Sequence, residues 1–261
     1  MPQNPASPAP RDWLLLIGGS TYKFTLTGFY LVALVAILKN HGYSLNQLSW
    51  IHLIGGIEAA KVLFAALMER RPAGRFGRFR GWLLAATLGL SAVFGLMACT
   101  DMTRNFPLLL TCCVLLSAMS AVYGCAMLGL SCIVLPHRER GFGGVIQTMA
   151  ARGGKMIGGA LVLWLYQEYG QTAAAGFMLA FSLLMLLQLL CYREPKIPTA
   201  QGSWTALAAR LVSFWQRPET GWRWLVLLFA VAAPYAFAAA TFVPKLADLG
   251  FNPKQTGGIL A

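Results

Sequence analysis

The sequence has few charged residues, and acidic residues are especially scarce. Charged side chains make up 11% of the 261 residues, with nine Asp and Glu against 21 Lys and Arg, whereas a soluble domain carries about 25% charged residues. This scarcity excludes an ordinary soluble protein. Hydrophobic residues reach 57%, the mean hydropathy is +0.60, and the apolar runs exceed the roughly 9–11 residues of a membrane barrel strand. The sequence therefore predicts an all-α integral membrane protein.

The sequence also lacks the patterns of enzymes, cofactor sites and nucleic-acid-binding proteins. The three histidines, His41, His52 and His137, fall in different predicted elements, and no glycine-rich loop follows a strand. The six cysteines lie in or at the ends of apolar runs without zinc spacing, so we expect them to pack as small core residues. The formal charge is +12, but most cations lie in short loops, where membrane orientation explains them. We expect no catalytic site, cofactor, metal or nucleic-acid partner.

The apolar runs divide the chain into two groups of predicted spans joined by a polar linker. Alternate loops on the side of the N-terminus carry most of the Lys and Arg, which predicts a cytoplasmic N-terminus. We predict a tail at 1–12, a six-helix bundle at 13–191, a cytoplasmic linker with an interfacial helix at 192–221, and part of a second bundle at 222–261. The predicted spans are 13–38, 49–68, 82–98, 106–135, 143–166, 172–190 and 222–244, with an eighth from 255. We expect a chain that ends early in an eighth span to be a piece of a longer protein.

Five ionisable residues interrupt the predicted spans: Lys23, Glu58, Lys61, Arg152 and Lys155. A cation at mid-helix costs about 2.5–3.5 kcal/mol on insertion scales. Such residues therefore normally face a packed interior or a watery cavity. At a rise of about 1.5 Å per residue, the four cations fall at a similar depth near the middle of the membrane. We predict that they line a cavity for an anionic solute.

Polar neighbours on the same helix faces extend this predicted site. The first span carries a polar stripe at residues 20, 23, 27 and 30, although Ser and Thr also serve as hydrogen-bonding glue between membrane helices. Glu58 and Lys61 are i,i+3 neighbours, which predicts an ion pair. The pair is either structural or makes Glu58 a protonatable ion-coupling residue. The predicted substrate-binding residues are Lys23, Thr27, Tyr30, Lys61, Gln147, Arg152 and Lys155.

Three segments resemble one group of membrane permeases. They are residues 28–48 (GFYLVALVAILKNHGYSLNQL), 60–84 (AKVLFAALMERRPAGRFGRFRGWLL) and 135–160 (LPHRERGFGGVIQTMAARGGKMIGGA). They resemble major facilitator permeases of the ferric-siderophore type, the rhizobactin/pyochelin permease group, and the related muropeptide permeases. The shared features are an intramembrane Lys at position 61, an acidic–Arg pair at 69–70 and a Gly-Arg-x-Arg run at 77–80. This sequence departs from the group in lacking an Asp near Leu128, so Glu58 is the candidate acid of these spans.

The resemblance implies a major facilitator fold of twelve spans in two bundles and a secondary active transporter of the inner membrane. The implied function is import of a ferric siderophore or a similar anionic or chelate-bearing solute by alternating access, coupled to an ion that we expect to be the proton. A muropeptide permease and a small-molecule exporter are alternatives on the same fold, and a non-transporting membrane receptor is a less favoured one. We further predict a cytoplasmic gate, with simple charge anchoring as the alternative. Its residues are Glu69, Arg70, Arg78 and Arg80.

Overall fold

The computed structural model describes residues 8–70, 77–100, 105–195, 209, 212–213, 216, 221–250 and 255. Every regular element within these ranges is helical, which confirms the predicted all-α class. The predicted linker helix falls almost entirely outside the described residues. The predicted eighth span also lies outside them, except for the single position 255.

The first four spans follow the predicted order, with local breaks inside two of them. The first span consists of α1 (Pro10–Gly28), a π-helical segment (Phe29–Ala33) and α2 (Leu34–Asn40). The second consists of α3 (Leu45–Gly55), a 3₁₀ turn (Gly56–Ala60) and α4 (Lys61–Arg70). The third and fourth spans are α5 (Arg80–Cys99) and α6 (Phe106–Val134).

The next helical run contains the predicted fifth and sixth spans. It begins with a 3₁₀ turn (His137–Glu139) and continues through α7 (Arg140–Lys155), a π-helical segment (Met156–Leu161) and α8 (Val162–Cys191). Gly170 breaks α8, because its φ of 81° is not helical and suits a residue without a Cβ. The break lies between residues 166 and 172, where the sequence predicts the boundary of the two spans. The seventh span is α9 (Gly221–Asp248).

By length and composition, four helical stretches among the described residues could cross a membrane. They are Pro10–Asn40, Arg80–Cys99, Phe106–Val134 and His137–Cys191. The first begins three residues before the predicted start at Trp13. Pro10 suits the first helical turn because it has no N–H to leave unbonded, and the Asp12 carboxylate accepts a hydrogen bond of 2.9 Å from the Ala9 amide. The helix signal therefore lies in residues that the sequence analysis assigned to the tail.

Small and hydroxylated residues hold the spans of the bundle together. The Tyr22 hydroxyl on α1 and the Ser182 hydroxyl on α8 lie 2.6 Å apart, and the Ser91 hydroxyl on α5 donates to Ser182 over 2.9 Å. All three side chains are buried. The Tyr22 ring also packs edge-on against Tyr123 of α6. Three spans thus share one hydrogen-bonded junction inside an otherwise apolar core, as is common between membrane helices.

The first and fifth spans approach each other so closely that their backbones are in contact. A Cβ at Gly154 would lie 2.7 Å from the Thr21 carbonyl oxygen, and a Cβ at Gly28 would lie 2.9 Å from the Lys155 Cα. A Cβ at Gly158 would overlap the Thr25 carbonyl oxygen. Glycine at these positions therefore brings the helix that carries Lys23 next to the one that carries Lys155.

The described part of the seventh span packs against the bundle near its C-terminal end. Its side chains from Trp222 to Ala232 are exposed, whereas Pro244 and Leu246 near its C-terminal end are buried. There the Lys39 ammonium lies 2.7 Å from an Asp248 carboxylate oxygen. The described part of α9 therefore joins the bundle at the end where α2 finishes.

Candidate functional site

Glu58 lies on the 3₁₀ turn that interrupts the second span. Two consecutive glycines mark the break: α3 ends at Gly55 and the turn begins at Gly56. Glycine is less favourable inside an α-helix than most residues are, so a break in the helix is favoured here. Breaks of this kind inside a membrane helix need partners for the freed backbone groups. Ser117 of α6 supplies one, since its hydroxyl donates to the Ile54 carbonyl oxygen over 2.9 Å. The fourth span thereby holds the turn that presents Glu58.

The Glu58 carboxylate is the centre of a hydrogen-bonded cluster drawn from three spans. One oxygen accepts hydrogen bonds from the Tyr30 hydroxyl over 3.1 Å and from the Ser120 hydroxyl over 3.0 Å. The other oxygen accepts a bond of 2.6 Å from the Lys61 ammonium, and the Lys23 ammonium lies 3.9 Å from it. The expected Glu58–Lys61 ion pair is therefore present, and the 3₁₀ turn favours it because i and i+3 side chains eclipse there.

The cluster carries an excess of positive charge. The side chains of Lys23, Glu58 and Lys61 are 14%, 19% and 27% exposed, so none of the three is fully open to solvent. The charge of Lys155, on the adjacent fifth span, also acts on Lys23. Two lysines, Lys23 and Lys61, thus lie beside one carboxylate, and buried like charges repel strongly where the dielectric constant is low. An anion placed among the lysines would reduce this repulsion.

Two further residues of the predicted substrate site are already bonded within the bundle. The Thr27 hydroxyl donates to the Lys23 carbonyl oxygen of its own helix over 3.3 Å. Gln147 lies between the first and fifth spans, where its side-chain amide donates to the Ser20 hydroxyl over 3.3 Å. The Gln147–Ser20 contact matches the hydrogen bonding between helices that the sequence analysis left open as an alternative, whereas the Thr27 bond stays within its own helix.

Arg152 does not join the cluster. Its side chain is exposed on α7, and the structure shows no hydrogen bond or ion pair between it and another described residue. Lys155, one turn further along the same helix, is half-buried and is the cation of this helix that acts on Lys23. The prediction that Arg152 shares a site with Lys23 and Lys61 rested on depth alone, and in this conformation the helix directs only Lys155 towards them.

The predicted gate residues include one clear contact, and it lies within the bundle. The Arg80 guanidinium donates to the carbonyl oxygens of Leu189 and Leu190 at the end of α8, over 2.9 Å each. In return the Glu194 carboxylate accepts hydrogen bonds from the Phe79 and Arg80 amides at the start of α5. We call this reciprocal arrangement the end clamp, and it satisfies backbone groups that helix ends leave unbonded.

Of the other predicted gate residues, only the side chain of Arg78 lies in the described part of the structure. The Arg78 guanidinium lies over the Phe79 ring, 5.3 Å from its centroid, and the side chains of Glu69 and Arg70 lie outside the described part of the structure. A gate formed by these residues stays a prediction.

Comparison with known proteins identifies the family of this chain. Residues 15–261 match the Major Facilitator Superfamily. The chain belongs to this superfamily. It is 29% identical over 256 residues to the anhydromuropeptide permease of Escherichia coli strain K12, an alignment that covers 95% of this chain and 51% of the permease. The anhydromuropeptide permease of Escherichia coli O157:H7 matches to the same extent.

Membership in the superfamily confirms the coarser expectations from the sequence. This is a family of multi-pass membrane transporters and not of enzymes. The chain spans about half the length of the curated relatives it matches. The relatives named here are muropeptide permeases, one of the two groups that the quoted segments resemble, and the ferric-siderophore group is not among them.

Sequence reasoning missed the residues that position Glu58 and those that complete the end clamp. Ser117, Ser120 and Gly124 lie at i, i+3 and i+7 on the fourth span, the same helical spacing that revealed the stripe on the first span. This pattern could have identified the face of α6 that meets Glu58. Glu194 gave no such signal, because the sequence placed it in a linker and nothing in its neighbourhood shows that the start of α5 is close.

Proposed function

We propose that the protein is a secondary transporter of the inner membrane that imports an anionic solute of the muropeptide class by proton-coupled alternating access. The observation that carries the proposal is the cluster of Lys23, Lys61 and Glu58 inside the membrane bundle of a Major Facilitator Superfamily member. Muropeptides carry a short peptide with free carboxylates, and cationic side chains in a low-dielectric site favour such groups.

The named relatives favour a muropeptide over the ferric siderophore that the sequence analysis put first. Both are anhydromuropeptide permeases, and the alignment includes nearly the whole of this chain. A ferric siderophore is the second candidate, because the charge pattern around residues 61–80 also resembles siderophore permeases. Both solutes are anionic, so the charge of the cluster alone does not separate them.

An uptake experiment separates the two candidates. Cells that lack their own muropeptide uptake are made to express the protein and are given a radiolabelled anhydromuropeptide, and in a parallel arm a ⁵⁵Fe-loaded siderophore. We expect accumulation of the muropeptide that stops when a protonophore collapses the proton gradient. Accumulation of the iron chelate alone would favour the second candidate. Accumulation of neither solute would contradict both.

Glu58 is the proposed coupling residue. Substitution by Gln removes the charge and keeps a similar side-chain size, so the Tyr30 and Ser120 hydroxyls retain an acceptor while Lys61 loses its ion pair. We expect Glu58→Gln to lose uphill accumulation of the labelled muropeptide, because a carboxamide cannot bind and release the coupling proton. Equilibration down a gradient can persist in this variant. Normal accumulation with an unchanged pH dependence would show that Glu58 does not couple transport.

A further inference from the structure

The two oxygens of the Glu58 carboxylate face different kinds of hydrogen-bond donor. Oε2 accepts a bond of 2.6 Å from the Lys61 ammonium. Oε1 accepts bonds from two hydroxyls, that of Tyr30 over 3.1 Å and that of Ser120 over 3.0 Å. An ammonium has three donors and no acceptor, whereas a hydroxyl can donate one hydrogen bond and can also accept. The two sides of the carboxylate therefore differ in whether they offer an acceptor to a protonated carboxyl group.

This difference selects the oxygen at which Glu58 can take up a proton. A proton on Oε2 would point at the N–H groups of Lys61 and would displace the short bond between them. A proton on Oε1 needs only a hydroxyl that turns from donor to acceptor. The other oxygen of the resulting acid still accepts hydrogen bonds, so Lys61 keeps its bond to Oε2. The hydrogen-bonding pattern therefore favours protonation at Oε1.

Ser120 is the hydroxyl that can change its role without losing a partner. Its side chain is buried on α6. A serine in a helix can donate to the carbonyl oxygen four residues earlier, which for Ser120 is that of Leu116, and a carbonyl oxygen has two lone pairs. Other helical hydroxyls of this protein already donate in this way. Examples are Thr21, Thr25, Thr87, Ser91, Thr111 and Thr148.

Tyr30 is the less suitable of the two hydroxyls. If it accepted from the carboxyl group, its own hydrogen would have to turn to the Thr27 hydroxyl beside it, which is itself bonded to the Lys23 carbonyl oxygen. A phenolic oxygen is also the weaker acceptor, because one of its lone pairs is delocalised into the ring. A protonated carboxyl group keeps acceptor capacity, so Tyr30 can stay a donor to Glu58 in both states.

We infer that Ser120 is a positioning residue for proton coupling, whose hydroxyl donates to the ionised Glu58 side chain and accepts from the protonated one. The inference rests on the proposed function, in which Glu58 takes up the coupling proton. In this step a proton from water forms an O–H bond with Oε1. The bond that Ser120 donates to Oε1 is replaced by one that it accepts, and its own hydrogen turns to the Leu116 carbonyl oxygen. Ser120 keeps its hydrogen throughout, and Lys61 stays bonded to Oε2.

Infrared difference spectroscopy tests this inference without any transport. The protein is reconstituted in lipid and acidified, and the C=O stretching band of each newly formed carboxylic acid is recorded. Among the described residues, the titratable and charged groups that face Glu58 are Tyr30, Lys23 and Lys61, and Lys155 acts on Lys23. Lysine and tyrosine side chains give no carboxylic acid band. The Glu58 band is therefore identified as the one that Glu58→Gln lacks.

The position of this band reports the hydrogen bond that the acid donates. We expect the Glu58 band of Ser120→Ala to move to a higher wavenumber than that of the wild type, because a carboxylic acid that donates no hydrogen bond has a stiffer C=O bond. Tyr30→Phe removes a donor to the same oxygen but leaves the proposed acceptor, so its band should move much less. Ser120→Thr keeps the hydroxyl and should keep the wild-type band.

A control and a reserve variant complete the set. Ser131→Ala removes a hydroxyl of the same helix that donates to the Leu128 carbonyl oxygen, and it should leave the Glu58 band unchanged. Should Ser120→Ala not yield folded protein, Ser120→Cys replaces it, because a thiol is only a weak hydrogen-bonding group. Its band should move in the same direction by a smaller amount. Amounts of folded protein are compared by size-exclusion chromatography.

The outcomes separate this inference from the proposed function. If the Glu58 band lies at the same wavenumber in Ser120→Ala and in the wild type, Ser120 is not the acceptor and the inference falls, although Glu58 can still couple transport. A larger shift in Tyr30→Phe than in Ser120→Ala would also overturn it. If Glu58→Gln lacks no band, Glu58 takes up no proton, and both the inference and the proposed coupling are wrong. If the band shifts as expected but no muropeptide accumulates in the uptake assay, the proposed solute is wrong and the role of Ser120 stands.

Discussion

The close contact between the first and fifth spans gives a sharp test of the packing. A methyl group at Gly158 would overlap the Thr25 carbonyl oxygen and come within 3.0 Å of the Phe29 amide nitrogen. Both are backbone atoms, so no side-chain rotation can relieve the overlap and one span must move. Gly153, five residues earlier on the same helical run, has no atom within 4 Å of an added Cβ. The two glycines therefore form a matched pair for substitution by Ala.

The two substitutions should change the free energy of unfolding in different directions. Forcing an extra methyl group into a packed interior typically costs about 1–3 kcal/mol, and the overlap with backbone places Gly158→Ala in the upper part of that range. Replacing Gly by Ala in a helix gains up to about 1 kcal/mol by propensity. We therefore expect Gly158→Ala to lose about 1–2 kcal/mol net and Gly153→Ala to be neutral or to gain up to about 1 kcal/mol.

Thermal unfolding of the detergent-solubilised protein measures this difference. For a domain of this size, 1 kcal/mol corresponds to a shift in Tm of about 2–4 °C. Gly158→Ala should therefore unfold roughly 2–8 °C below the wild type, and Gly153→Ala at or slightly above it. Equal Tm values for the two variants would refute the argument that the spans are in backbone contact at Gly158. A larger residue at that position, as in Gly158→Val, should deepen the loss if the argument holds.

Three further predictions concern contacts between spans. Ser182→Ala removes the partner of the buried Tyr22 hydroxyl, while the Ser91 hydroxyl keeps its bond to the Thr87 carbonyl oxygen. It should cost about 1–3 kcal/mol, to be measured by thermal unfolding with Thr241→Ala as a control at an exposed hydroxyl. Glu194→Gln removes the charge that caps the start of α5 and should cost about 1 kcal/mol; an unchanged Tm would mean that the end clamp adds nothing to stability. Lys39→Gln should cost less than about 1 kcal/mol, because Asp248 is half exposed and such pairs are weak. A double-mutant cycle with Asp248→Asn isolates that pair, and a coupling energy well above this limit would contradict the weak-pair reasoning.

The order of the spans could be predicted from the sequence because each depends on a long local signal. Apolar runs of about twenty residues are unambiguous, and the break at Gly170 fell where a short polar stretch separated two such runs. The start of the first helix at Pro10 was not predicted. The Asp12 carboxylate that caps this start acts over only three residues, so it barely changes the hydropathy of the segment. The breaks at the π-helical segments could not be predicted either, since they respond to the close approach of two spans.

The candidate site could be predicted where its residues are close in the sequence, and only in part where they lie on different spans. The Glu58–Lys61 pair follows from an i,i+3 spacing, which fixes both depth and direction. Lys23 and Arg152 were placed by depth alone, and depth leaves open the direction in which a helix points its side chain. Lys23 faces Glu58, but Arg152 points away from it. The rotation of each helix is set by its packing, here by the glycine contacts that bring Lys155 rather than Arg152 towards Lys23.

The net positive charge of the cluster indicates that it binds a further, anionic group. A purely structural ion pair inside a protein stabilises little, because the attraction has to offset the loss of solvation of both charges. Here Lys61 alone would serve to neutralise Glu58, and its hydrogen bond of 2.6 Å does so. Lys23 adds desolvation and repulsion, because it lies 3.9 Å from a carboxylate that Lys61 already neutralises. An excess of cations held at fixed positions is unfavourable for the empty bundle and favourable once an anion occupies it, as differential binding of a transported solute requires.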